Sequence, residues 1–286
     1  MNWIFKAAVT GLMLAVFLSG CAASSNEISY TVNGQSMEVL LQNLETGKLL
    51  NLTNHASDDW WSSWSPDGKR MAFVSQRRGN NDVFILDIDR EEVRQVTDAP
   101  EDDGWPAWSP DGRSLVFATN RDGNYELYSV AVDGSNPLNL TRSPGDDGLP
   151  AWSPDGKQLV FTSNRSGNWE IYIMNADGAT PAQNITNHPA GDTMPAWSPD
   201  GKTIAFVSDR DTGRQIYLLD LQSTSVRALT SSGVHENPAW SPDGKTLVYA
   251  AEQEGQWDLY TIGVTGENLT RITNDALQEW RPVYRP

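Results

Sequence analysis

The sequence predicts an all-β fold: a six-bladed β-propeller with four-stranded blades, the sixth blade closed by N- and C-terminal strands. Two observations carry this. The first is a heptapeptide present in five near-copies, "SWSPDGK" from Ser63, "AWSPDGR" from Ala107, and "AWSPDGK" from Ala151, Ala196 and Ala239. Its tryptophans, Trp64, Trp108, Trp152, Trp197 and Trp240, lie 44, 44, 45 and 43 residues apart, the length of one four-stranded blade. The second is "PVY" from Pro282, which starts a sixth copy another 44 residues on and then stops.

Taken in chain order, the first segment is not part of the fold. Residues 1–20 place one cation, Lys6, before the run "AAVTGLMLAVFL" and end in Leu18-Ser19-Gly20 ahead of Cys21. Twelve such residues fall short of the roughly 20 that span a bilayer. The ending resembles the bacterial lipobox, which implies a lipoprotein signal peptide over 1–20 and lipidation of Cys21, the chain's single cysteine. Residues 21–27 become a lipidated tether and 28–286 the propeller. Acyl chains contribute about 0.8 kcal/mol per buried methylene, so a multiply acylated cysteine is a firm membrane anchor. Ala22 and Ala23 stand where, by the bacterial sorting rule, an aspartate would retain the protein at the inner membrane. The expected place is therefore the outer membrane, with the propeller in the periplasm.

The next segment reads as the back half of a blade. "ISYTV" (28–32) is a second strand, Asn33-Gly34 a turn, "MEVLLQN" a third strand, and "LETGKLLNLT" finishes the unit at Thr53. A complete copy follows the same template. "LPAW" (Leu149–Trp152) is a short inner strand and "SPDG" a turn, with Pro154 pre-set for its second position and Gly156 free to take positive φ. "KQLVFTS" alternates as the second strand, "NRSGN" turns, "WEIYIMN" is the third strand, "ADGA" turns, and "AQNIT" is the outermost. "NHPAGDTMP" then crosses to the next blade. The closing "RPVYRP" supplies the inner strand that residues 28–53 lack, so the ring pairs edges that an open array would expose. The repeated aspartates Asp67, Asp111, Asp155, Asp200 and Asp243 belong to the turns.

The consensus "PAWSPDGKxLVFxSNRxGNxEIYxMxxDG…LT" resembles the WD40-like repeat of TolB-type propellers over residues 28–286. The resemblance implies a non-catalytic protein- or peptide-binding module in the cell envelope, with partners among peptidoglycan-associated or outer-membrane proteins. Similar repeats also occur in sugar-acid lyases that hold a metal with histidines. That keeps a second class open: a metal-assisted enzyme or sensor acting on oligosaccharides, of lyase or hydrolase type. The only histidines are His55, His188 and His235, and no Gly-x-Ser-x-Gly occurs, so no catalytic residue is assigned.

Charge narrows the partners. Without residues 1–20, 20 basic residues face 37 acidic ones. That balance argues against nucleic acid and against anionic lipid, which need basic surfaces. It suits cations and basic proteins or peptides. The chain is expected to act as a monomer.

Candidate site residues fall on the face carrying the second and fourth turns. Five residues before each repeat aromatic stand Asp59, Asp103, Asp147, Asp192, His235 and Glu279, with Asp58, Asp102 and Asp146 preceding three of them. Two carboxylates ~8 Å apart repel by about 2 kcal/mol at an effective dielectric near 20. Such a ring requires counter-charge, a divalent cation such as calcium, or a basic partner group. Arg77, Arg121, Arg165 and Arg210 recur in the adjoining turns and offer blade-to-blade pairing, a series broken at Gln253 and Asn33. On the same connections, Trp60, Trp61, Trp105 and Trp280 gather on three adjacent blades, where Leu149, Met194 and Asn237 stand elsewhere. They form either a partner-binding patch, with His235 beside it, or packing between strands.

Overall fold

The computed structural model describes residues 26–286. The signal peptide expected over 1–20 and the lipidation expected at Cys21 fall outside the described residues. The repeated peptide folds as its residue types require. In the first copy the Gly68 N–H donates to the Ser65 carbonyl at 2.8 Å, the Asp67 carboxylate accepts the Lys69 N–H at 3.1 Å, and the Ser65 hydroxyl accepts the Arg70 N–H at 2.9 Å. The closing glycine takes a left-handed φ of +63° to +70° in all five copies, which only glycine adopts without cost. The serine hydroxyl and the following N–H hold Asp111, Asp155, Asp200 and Asp243 below the usual carboxylate range. These aspartates are turn residues, as their recurrence predicts.

Twenty-four strands, numbered β1 to β24 along the chain, form six four-stranded antiparallel sheets among the described residues. One sheet is split: β24 (Gln278–Tyr284) is its inner strand, followed outward by β1 (Glu27–Asn33), β2 (Met37–Asn43) and β3 (Leu49–Asn51). The other inner strands are β4 (Asp59–Trp64), β8 (Asp103–Trp108), β12 (Asp147–Trp152), β16 (Asp192–Trp197) and β20 (Val234–Trp240), which open blades one to five. Closure rests on the ladder from Ile28↔Tyr284 to Asn33↔Gln278, the Arg285 N–H to Glu27 carbonyl bond at 2.8 Å, and the Arg285–Glu27 ion pair at 2.8 Å.

The apolar core lies between blades. Six buried clusters each join facing sheets; one holds Ala72, Val83 and Ile85 of blade one with Leu115, Phe117 and Tyr128 of blade two. The repeat tryptophans reach backward across these junctions: Trp152 Nε1 donates to the Ala107 carbonyl at 3.2 Å, and Trp240 Nε1 to that of Ala196 at 3.1 Å. The first turn face is tied similarly, since a Cβ on Gly156 would touch Pro110 of the preceding blade, 3.7 Å away.

Every inner strand starts earlier than the sequence pattern marked and carries a β-bulge. In β4 the register slips between Trp60 and Ser63, so that Trp61 and Ser62 together oppose Phe73. The first bulge residue is left-handed in all six blades: Trp61 (φ 53°), Trp105 (51°), Leu149 (53°), Met194 (55°), Asn237 (54°) and Arg281 (57°). The second is proline in five, a residue that a ladder position needing its N–H would refuse. Bulges re-aim side chains, and large residues tolerate this conformation only where the surroundings enforce it.

Candidate binding site at the channel throat

The six left-handed residues point to one place. Together with the second bulge residues they line the throat of the central channel, a cavity of about 170 Å³. The set includes two of the four predicted tryptophans. Trp61 and Trp105 meet edge to face, with ring centroids 5.7 Å apart. Trp60 and Trp280 sit one position earlier, half-buried and outside the throat; Trp280 packs beside the cluster of Ile28, Tyr30 and Tyr284. The four tryptophans therefore do not form one patch.

Two aromatics that the sequence reading passed over complete the site. Trp105 also meets Tyr125 edge to face at 5.3 Å. A second cavity, of about 310 Å³, is lined by Trp105, Tyr125, Leu149 and Trp169. It shares Trp105 and Leu149 with the throat. Trp169 is 40% exposed, an unusual state for a tryptophan in a packed fold. A Cβ on Gly148 would stand 3.3 Å from the Trp105 ring, so this glycine makes room for it. A signal was present: the residue before the third-strand acid is aromatic at Tyr125, Trp169 and Trp257.

The acidic ring is not an open mouth. Asp59, Asp103, Asp147 and Asp192 are each the first residue of an inner strand and fully buried. Each is paired with an arginine: Arg77 at 3.0 Å, Arg121 at 3.1 Å, Arg165 at 2.7 Å and Arg210 at 2.8 Å. The pairing is within a blade, not between blades, because the ladder sets each aspartate opposite the residue two before its arginine. Each guanidinium also covers the buried phenylalanine of the second strand, Arg165 lying 5.4 Å from the Phe161 centroid. Burial pushes the Asp59 and Asp103 carboxyls up, against hydrogen bonds from Ser75 and Thr119 and the charge of the arginines. The preceding acids do different work: Asp58, Asp102 and Asp146 accept the backbone N–H of Met37, Asn81 and Tyr125 in the neighbouring blade at 2.8–3.1 Å. Adjacent carboxylates thus face different partners and form no acid–base dyad.

The two departures from the series resolve differently. In blade five, Gln253 replaces the arginine and His235 the aspartate. The buried His235 Nδ1 lies 3.1 Å from Gln215 Oε1, its ring edge meets Tyr249 at 5.3 Å, and burial holds its pKa below the ordinary value. It is a packed residue, away from the throat. In the split blade the register puts Gly34, rather than Asn33, at the arginine position. Glu279 therefore lacks a guanidinium, is 1% exposed, and accepts from Thr273 Oγ1 at 3.0 Å. Burial first, and then Asp275, push its carboxyl up to about 8.

Among the described residues no three His, Cys, Asp or Glu side chains are grouped as metal ligands would be. His55 and His188 each accept a backbone N–H of their own loop through Nδ1, from Ser57 at 3.0 Å and Ala190 at 3.1 Å. Among the described residues the one charged side chain in the throat is Arg281, whose Cζ lies 3.4 Å from the Trp61 ring centroid. Burial lowers its pKa to about 10, with Glu236 opposing. Glu236 itself is paired with Arg214.

Comparison with known proteins agrees with this architecture. A family model described as the TolB beta propeller domain matches residues 18–145 and 138–237. No curated protein sequence matches the chain. Among solved structures the chain is similar to TolB from Acinetobacter baumannii, with TM-score 0.85 and 23% identity over 91% of this chain and 67% of that one. It is similar to a protein described as TolB from Agrobacterium tumefaciens, with TM-score 0.74 and 21% identity over 91% and 99%. An oligogalacturonate lyase in complex with manganese follows at TM-score 0.64 and 18% identity over 88% and 75%. At these identities the likenesses are likenesses of fold.

Proposed function

This chain belongs to the TolB beta propeller domain family, and from that premise we propose that it is a binding module of the cell envelope that holds a protein or peptide partner at the channel throat. Cys21 would anchor it to the outer membrane, with the propeller in the periplasm. The observation that carries the reading is the continuity of two cavities, the throat and the Trp105–Tyr125–Trp169 pocket, through shared side chains. Their aromatic and charged members, Trp61, Trp105, Tyr125, Trp169 and Arg281, stand at positions where the repeat varies, between constant prolines in the throat. Binding sites are concave, mostly apolar, and carry few polar groups, which describes this pair. Exposed tryptophan and tyrosine are also the residues on which partner affinity concentrates.

The test is crosslinking in intact envelopes, followed by recovery of the native lipoprotein and of a Trp105→Ala, Trp169→Ala variant. A partner recovered with the native chain and reduced at least tenfold with the equally well-folded variant supports the site. Equal recovery by both moves the interaction elsewhere on the ring.

A further inference from the structure

We propose that Arg281 receives the carboxylate of an acidic residue in the bound peptide, with a neighbouring bulky apolar side chain seated against Trp105, Tyr125 and Trp169; this rests on the peptide-binding reading above. The throat is otherwise apolar or neutral, lined by tryptophan, leucine, methionine and proline with Asn237 and Ser62, and Arg281 is its single charged residue among those described. A guanidinium held against such walls has lost much of its water. Stacking on Trp61 offsets part of that cost and occupies one face of the fork. Among the described residues no acid lies within ion-pair distance of its N–H edge, and the nearby Glu236 carboxylate pairs with Arg214 instead. A planar fork of donors in an apolar setting selects a planar carboxylate, which it can hold through two parallel bonds.

Size sets what can enter. A cavity of about 170 Å³ has room for roughly six water-sized groups, enough for one short side chain and too little for a folded domain. The adjoining 310 Å³ pocket, sharing Trp105 and Leu149, takes the apolar neighbour. The left-handed backbone at Arg281 serves the same end, because it turns the side chain inward where an ordinary strand residue would alternate away. The chain's net charge of −16 works against indiscriminate binding of acidic peptides. The preference is therefore local, for one carboxylate delivered into the throat.

The test uses random hexapeptides, acetylated and amidated at their ends, prepared as twins in which each Asp or Glu is matched by Asn or Gln. Digalacturonate serves as a separate probe. With the native chain, the tightest peptides are expected to carry an acid and to bind about 10–100-fold better than their amide twins, the range of a hydrogen-bonded charge. Arg281→Gln should erase that ratio without lowering the melting temperature, and Arg281→Lys should keep part of it. Trp105→Ala should weaken both twins alike. Twins that bind the native chain equally, or a preference that survives in Arg281→Gln, overturn the carboxylate inference and leave the peptide-binding reading standing. Capture of digalacturonate with no peptide retained overturns both in favour of a uronic-acid ligand.

Discussion

Glu279 shows how a single missing partner changes a residue's chemistry. The same position in blades one to four holds a buried aspartate paired with an arginine, whereas the split blade supplies glycine where the arginine would be. Burial and Asp275 then raise the Glu279 carboxyl to about 8, so the folded protein keeps it neutral at pH 7 while the unfolded chain, near 4.3, does not. The sign follows from that difference. Folding takes up a proton, so this contribution to stability is complete below about pH 4.3, declines as pH rises, and is gone above about pH 8. Asp82, pushed to about 6 by burial and by Asp103, adds the same sign over a narrower window. Glu279→Gln, which fixes the neutral form, should leave the melting temperature near pH 4 almost unchanged and raise it at pH 8 by several degrees. Thermal melts of both proteins across that range decide the matter; parallel curves would mean that Glu279 is ionised in the fold.

Blade junctions and inner strands are the elements that hold the site. At each junction a third-strand group faces the next inner strand: Glu126 beside Asp147, Asp82 beside Asp103, and Gln215 beside His235. The junction between blades four and five has changed all three members, with Gln215, His235 and Gln253 replacing acid, acid and arginine, and so shows a neutral form of the same packing. That form predicts a rescue. Arg165→Gln alone leaves Asp147 buried and unpaired and should cost about 3–5 kcal/mol in denaturant unfolding. Adding Asp147→His and Glu126→Gln should recover most of the loss, although three polar groups change in one junction. A triple variant no more stable than the single one would refute this account.

These elements also mark what could be read from the chain beforehand. The period, the turns and the split blade were legible because glycine, proline and the alternation of apolar residues each answer to a local backbone requirement. The arginine series was visible too, but its partner was not: the pairing runs within a blade because of a register that spacing alone leaves open. The bulge was hidden for a related reason. "PAW" reads as a strand start, and the left-handed residue before it is Trp, Leu, Met, Asn or Arg, of which only Asn commonly takes positive φ. Hence the sequence singles out Trp61 and Trp105 but not the role of Arg281 against Trp61, and it groups Trp60 and Trp280 with them by proximity in sequence alone.

At the scale of the whole ring, the throat exists only if the ring is closed. Its wall has six contributors, and one of them, Arg281 with Pro282, comes from the last strand of the chain. That strand pairs with β1 over Ile28–Asn33, buries Tyr284, and pins Arg285 to Glu27. Removing residues 278–286 would expose the β1 edge and the facing surfaces of Ile28, Tyr30 and Val32, all buried in the closed ring. Open edges of this kind recruit other chains. The truncated protein should therefore lose its single cooperative melt, self-associate, and lose binding at the throat. Because the missing piece is one strand, a synthetic peptide of residues 276–286 added in trans should restore the melt in proportion to its concentration, as any ligand of the folded state does. The same peptide carrying Arg281→Gln should restore the melt and not the acidic-peptide preference, which separates the strand's work in closing the ring from the work of the side chain it delivers to the channel.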